Sequence, residues 1–132
     1  MINGLRVTGF LCTAFLLVGC GESKNTLDTR TYYGGFNMIE AEVLNLDQEV
    51  NSKNWKGQSN PIEDQLGSAI HAFMRNEEVK GTPLEAEVKK LADQEQQILE
   101  IWQSPDGSVE KIRAVVKEMQ ARVELMKTMM DE

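Results

Sequence analysis

Apolar residues recur at alternating spacings of three and four in four separate stretches of this chain. That spacing puts them on one face of an α-helix, and no stretch alternates with the period of two that marks a strand. The sequence therefore predicts an all-α fold with four amphipathic helices. The predicted inward-facing residues are Phe36, Ile39, Val43, Leu46 and Val50 in helix one, Ile62, Leu66, Ala69, Ile70 and Phe73 in helix two, Leu84, Val88, Leu91, Ile98 and Trp102 in helix three, and Val109, Ile112, Val116, Met119, Val123, Met126 and Met130 in helix four.

The three prolines indicate where the last three helices begin. Asn60-Pro61-Ile62-Glu63 and Thr82-Pro83-Leu84-Glu85 each combine a capping residue, Pro at the first helical position and a Glu that can bond back to the cap. Ser104-Pro105-Asp106 is a third start, with Ser108 as an alternative cap. We predict helices over residues 35–52, 61–79, 83–103 and 105 or 109–130, with Gly81 as a helix C-cap before Thr82.

Short connections between helices of similar length favour antiparallel neighbours. The predicted fold is an antiparallel up-down-up-down four-helix bundle spanning residues 35–132. Two helical hairpins from two chains would produce the same pattern, so the sequence leaves the oligomeric state open. In the single-chain topology, Trp55 and Trp102 lie at one end of the bundle, while Gly81 and the C-terminus lie at the other.

The N-terminal residues are typical of a secretory signal. Arg6 is followed by the uncharged, largely apolar run 7–19. Such a run fits the apolar region of a signal peptide and is shorter than the roughly 20 residues that a membrane-spanning helix needs. We therefore expect an exported protein.

The end of this run, Leu17-Val18-Gly19-Cys20, resembles the lipobox of bacterial lipoproteins. The resemblance implies that residues 1–19 are removed and that Cys20 is acylated, becoming the N-terminus and the membrane anchor. Gly21 after the cysteine favours the outer membrane, with the domain in the periplasm or outside. We predict a lipidated Cys20 followed by a flexible tether over residues 20–34. An ordinary cleaved signal with an incidental cysteine is the alternative.

Charge and cysteine content narrow the function classes. The chain has 14 basic and 21 acidic residues and a net charge of −7, which makes it a poor nucleic-acid binder, so we predict no nucleic-acid partner. An acidic surface is also repelled by anionic lipids, so we expect the lipid at Cys20 to make the membrane contact. Cys12 lies in the segment expected to be removed. The mature domain would therefore have no thiol for a disulfide, a thiolate metal site or a nucleophile.

The remaining residues assemble no recognisable catalytic or metal-binding set. His71, the only histidine, is predicted to be exposed, opposite the apolar face of helix two. A Glu-x-x-His pair, typical of di-iron bundles, is missing because Ser68 stands where the Glu would be. The methionines of helix four are interpreted as core. We therefore predict no catalytic residue, no metal ligands and no cofactor.

Three residues stand out as candidate sites of another kind. Glu95 falls on the apolar face of helix three, where an unpaired carboxylate is costly. It would reach the edge of the bundle, pair with a base such as Arg122 or mark a polar layer. Trp55 and Trp102 would close the end of the core that faces away from the membrane, or form an aromatic patch for a protein partner.

Taken together, these features predict a membrane-anchored envelope lipoprotein with a small acidic helical bundle. Its expected role is that of a non-enzymatic interaction or structural module. The alternative hypothesis is a bundle that carries a metal or haem for redox chemistry or copper handling.

Overall fold

A computed structural model describes residues 23–51 and 64–131 of the chain. It has four helices: α1, Tyr32–Val50; α2, Asp64–Met74; α3, Pro83–Gln103; and α4, Val109–Met130. Each helix packs against its neighbour along the chain, and α1 also packs against α4. The described part contains no strand. The predicted all-α four-helix bundle is confirmed.

The apolar faces of the four helices meet in one core. Every described residue predicted to face inward is either buried or packs against the buried residues. Ala69, Trp102 and Val109 are the ones that remain partly exposed. Ile62 lies outside the described residues. None of the described helices is long and apolar enough to cross a membrane.

The helices run alternately up and down, so the bundle has two distinct ends. The start of α1, the α2–α3 connection, the start of α3 and the end of α4 lie at one end, which we name the proximal end. The end of α1, the start of α2, the end of α3 and the start of α4 lie at the other, which we name the distal end. Cross-helix pairs agree with this alternation, since Glu87 of α3 bonds Arg122 of α4 and Glu40 of α1 pairs with Lys127.

Helix α2 ends five residues earlier than its predicted end at Val79. The Asn76 side chain accepts a hydrogen bond from the Glu78 amide at 2.7 Å, an Asx turn that competes with helical bonding. Residues 76–81 instead form turns, which still bury Val79 completely. Gly81, with a φ of 77°, therefore serves this turn rather than capping α2 as predicted.

The N-termini of α3 and α4 lie where the sequence predicts them. Ser108 caps α4, its hydroxyl accepting a hydrogen bond from the Lys111 amide at 3.3 Å. The Thr82 hydroxyl makes no such cap, because it donates to the Val79 carbonyl instead. The Glu85 carboxylate accepts a hydrogen bond from the Gly81 amide, whereas the predicted partner was the amide of the cap residue Thr82. The predicted start at Pro61 lies outside the described residues.

Helix α1 begins at Tyr32, three residues before the predicted start. The Thr31 hydroxyl caps it by accepting a hydrogen bond from the Gly34 amide at 3.0 Å. The Tyr32 ring stacks on Phe73 of α2 with ring centroids 6.0 Å apart, and Phe36 also contacts that ring. The consecutive glycines Gly34 and Gly35 have a low helix propensity, but tertiary packing overrides it and the helix includes both.

Candidate functional site

The chain before α1, residues 23–31, lies against the proximal end of the bundle, and we name it the N-terminal segment. The Asn37 side-chain amide donates to the carbonyls of Lys24 and Thr26, at 3.0 and 2.8 Å. Lys24 also pairs at 2.9 Å with Asp131, the residue that follows α4. The segment is thus tied to both terminal helices. This differs from the flexible tether predicted over residues 20–34.

Local bonds shape the N-terminal segment further. The Asp28 carbonyl accepts from both the amide and the hydroxyl of Thr31, and the Asp28 carboxylate takes two hydrogen bonds from the Arg30 guanidinium. That pairing lowers the pKa of the Asp28 carboxyl. Leu27 projects from the segment with 89% of its surface exposed, which is unusual for a leucine in an ordered segment.

Gly34 allows the N-terminal segment to lie close to α1. A Cβ atom at Gly34 would overlap the Asp28 carbonyl oxygen. That oxygen is also the acceptor for Thr31, so the close approach and the helix cap depend on one another. Sequence reasoning missed this site. The available signal was the pair Gly34-Gly35, which is out of place inside a helix unless a backbone passes close by.

A polar network joins α3 to α4. Gln94, with 5% of its surface exposed, accepts a hydrogen bond from Arg122 at 3.2 Å and donates to Glu118 at 3.4 Å. The Arg122 guanidinium also pairs with Glu87 at 2.6 Å. Both members of that ion pair are largely shielded from solvent, so the pair fixes how the two helices align.

Of the three alternatives for Glu95, the ion pair with Arg122 does not form, because Arg122 bonds Glu87 and Gln94. Glu95 is half-buried between α2 and α3, where its carboxylate lies against the backbone of Gly67. Burial raises the pKa of the Glu95 carboxyl, and the nearby His71 partly opposes this shift. His71 is exposed, as predicted. The surroundings of Glu95 thus come from α2 rather than from α4.

The other predicted site residues lie in different parts of the chain. Trp102 is half-buried at the distal end and packs against the core. Trp55 and Cys20 lie outside the described residues. Met119, Met126 and Met130 are buried in the core, in agreement with their predicted role. Among the described residues, no group of three or more His, Cys, Asp or Glu side chains has an arrangement suited to a metal ion.

A few of the described polar residues thus join helices, and the proximal end is distinguished by its bound N-terminal segment, on which Leu27 is the most exposed of the described large apolar residues. In comparisons with known proteins, no family model, curated protein or solved structure matches the chain.

Proposed function

We propose that the protein is a lipid-anchored lipoprotein of a bacterial envelope, with the outer membrane as its favoured location. Its helical bundle serves as a non-enzymatic interaction or structural module. The observation that carries the proposal is the sequence Leu17-Val18-Gly19-Cys20 at the end of an uncharged, largely apolar run. An acylated thioether at Cys20, joined by further acyl chains, would hold the protein stably at a membrane where one chain alone would not.

The surroundings of the described polar residues support a module without catalytic chemistry. Arg122 of α4 bonds both Gln94 and Glu87 of α3, so these groups join the two helices. The core beneath them is built of aliphatic, aromatic and thioether side chains. In such a domain, binding would use the outer surface. We place a protein partner at the distal end, where Trp102 remains partly exposed.

The proposed anchor is tested by labelling cells that express the full chain with a radioactive fatty acid. The protein should incorporate the label, and Cys20→Ala should abolish incorporation because the thiol that carries the lipid is gone. Cys12→Ala is the matched control, since this cysteine lies within the signal and should leave labelling intact. Equal labelling of Cys20→Ala and the unaltered protein would exclude Cys20 as the anchor.

A further inference from the structure

We infer that the proximal end of the bundle rests directly on the lipid surface, with the Leu27 side chain inserted among the lipids. The inference rests on the proposed acylation of Cys20. Only Gly21 and Glu22 separate Cys20 from the first described residue, Ser23. A fully extended chain spans at most about 3.6 Å per residue, so the Ser23 Cα lies within roughly 11 Å of the Cys20 Cα.

That reach is short beside the length of the bundle. Helix α4 has 22 residues, and at 1.5 Å per residue it is about 33 Å long. The polar headgroup layer on each side of a bilayer is roughly 5–7 Å thick. With the acyl chains of Cys20 in the hydrocarbon, Ser23 lies in the headgroup layer or within a few ångströms of it, so the N-terminal segment is held close to the surface.

The N-terminal segment cannot lengthen the connection without losing native contacts. Asn37 holds the carbonyls of Lys24 and Thr26, Lys24 is paired with Asp131, and Thr31 caps α1. A flexible tether would have let the domain drift away from the membrane. The bound segment instead brings the proximal end of the whole bundle to the place where the lipid enters the membrane.

The side chains on this segment suit a membrane interface. Leu27 is almost fully exposed, and Lys24 and Arg30 lie three residues to either side of it. Tyr33, at the start of α1, is half-buried, and its ring meets that of Tyr32 edge-on with centroids 5.1 Å apart. Leucine inserts its apolar side chain, the apolar stems of Lys24 and Arg30 add to the surface beside it while their charged ends stay paired with carboxylates, and tyrosine is enriched at this depth.

The distribution of charge favours the same orientation. At the described proximal end, acidic and basic residues are equal in number. At the described part of the distal end, acidic residues outnumber basic ones. An anionic leaflet repels the carboxylates and tolerates a balanced surface. The proximal charges are Lys24, Arg30, Arg75, Lys80 and Lys127 against Asp28, Glu77, Glu78, Glu85 and Asp131, and the described distal charges are Asp47, Glu49, Glu100, Asp106 and Glu110 against Lys111 and Arg113.

The test measures membrane depth at position 27 in the acylated protein. A Leu27→Cys variant of the full chain is purified from membranes, labelled with a fluorophore sensitive to polarity, and reconstituted in phosphatidylethanolamine–phosphatidylglycerol vesicles, with and without nitroxide-labelled lipid. Leu44→Cys is the matched control, because Leu44 is also an exposed leucine, on the side of α1. We expect blue-shifted, lipid-quenched emission at position 27 and water-like, unquenched emission at position 44.

Flotation of the same vesicles separates this inference from the proposed function. If the protein floats but the label at position 27 remains water-like and unquenched, the anchor stands and the docking of Leu27 is wrong. If the protein is not acylated and does not float, both are wrong. A label that is exposed to water in pure lipid vesicles but shielded in native membranes would mean that a protein covers Leu27, which also overturns the inference.

Discussion

Two adjacent residues of α3 show how strongly position on a helix decides the surroundings of a polar group. Gln94 is buried and bonded to Arg122 and Glu118 of α4. Glu95, one position later, lies toward α2 against Gly67. A step of 100° around the helix separates the two side chains. The Gln94 amide therefore has hydrogen-bond partners on α4, whereas the Glu95 carboxylate is partly removed from solvent.

We predict that Glu95→Gln stabilises the protein at neutral pH. Burial raises the pKa of the Glu95 carboxyl in the folded protein, so its contribution to stability is full below the unfolded pKa and is lost as the pH rises through the folded value. At pH 7 the ionised carboxylate opposes folding, and glutamine removes that charge.

Urea unfolding midpoints at pH 7 and pH 4 check the prediction for Glu95. The midpoint of Glu95→Gln should exceed that of the unaltered protein at pH 7, and the difference should shrink at pH 4. Glu100→Gln, which changes an exposed carboxylate on the same helix, should show a smaller pH-dependent difference. A Glu95→Gln protein that is less stable than the unaltered protein at pH 7 would contradict the assigned environment.

The sequence identifies Glu95 as exceptional but does not identify its neighbours. A helical wheel places residues 94 and 95 near the apolar face, yet it does not say which side of that face meets α2 and which meets α4. Arg122, named in one of the three alternatives for Glu95, bonds the neighbouring Gln94 instead. The correct pairing depends on the rotation of α3 within the bundle, which the packing of all four apolar faces decides together.

At the scale of elements, local signals predicted some boundaries well and others poorly. The bounds of α3 agree, and α4 begins after the alternative cap Ser108, because proline and capping residues act on their own first turns. The end of α2 was predicted too late, since the Asx turn at Asn76 competes with a helix-compatible apolar pattern. The start of α1 was predicted too late because its stabilising contacts come from distant Phe73.

We predict that Gly34→Ala destabilises the protein by about 2 kcal/mol, although alanine in a helix interior is ordinarily about 1 kcal/mol more favourable than glycine. The new methyl group would overlap the Asp28 carbonyl oxygen, which belongs to the backbone and cannot rotate away. The N-terminal segment must then shift, with loss of the Thr31 hydrogen bonds to Asp28.

Thermal or urea unfolding measures this effect, and Gly67→Ala is its matched control. A methyl group at Gly67 would meet the Glu95 carboxylate, the mobile end of a long side chain that can turn toward solvent. Gly67→Ala should therefore be neutral or stabilising. If Gly34→Ala stabilises the protein as much as Gly67→Ala does, the N-terminal segment does not pack closely on α1.

At the scale of the whole molecule, the N-terminal segment makes the two ends of the bundle unequal. It joins α1 and α4 through Asn37 and Asp131 and adds an exposed leucine at the end nearest to Cys20. The sequence predicted the bundle because apolar periodicity repeats four times. It did not predict the folded segment, because polar residues without periodicity resemble a linker until their hydrogen-bond partners are known.

The N-terminal segment should therefore contribute to the stability of the domain, whereas a tether would contribute nothing. We predict that a lipid-free protein beginning at Tyr32 is less stable than one beginning at Ser23 by about 2 kcal/mol, since it loses the Thr31 cap and both hydrogen bonds from Asn37. For a domain of this size, this corresponds to a melting temperature lower by about 10 °C. A protein beginning at Gly21 is the control. It should have the same melting temperature as the one beginning at Ser23, because both retain these hydrogen bonds. Equal melting temperatures for all three would mean that the segment is a tether after all, and the domain would then be free to move away from the membrane that Cys20 is proposed to enter.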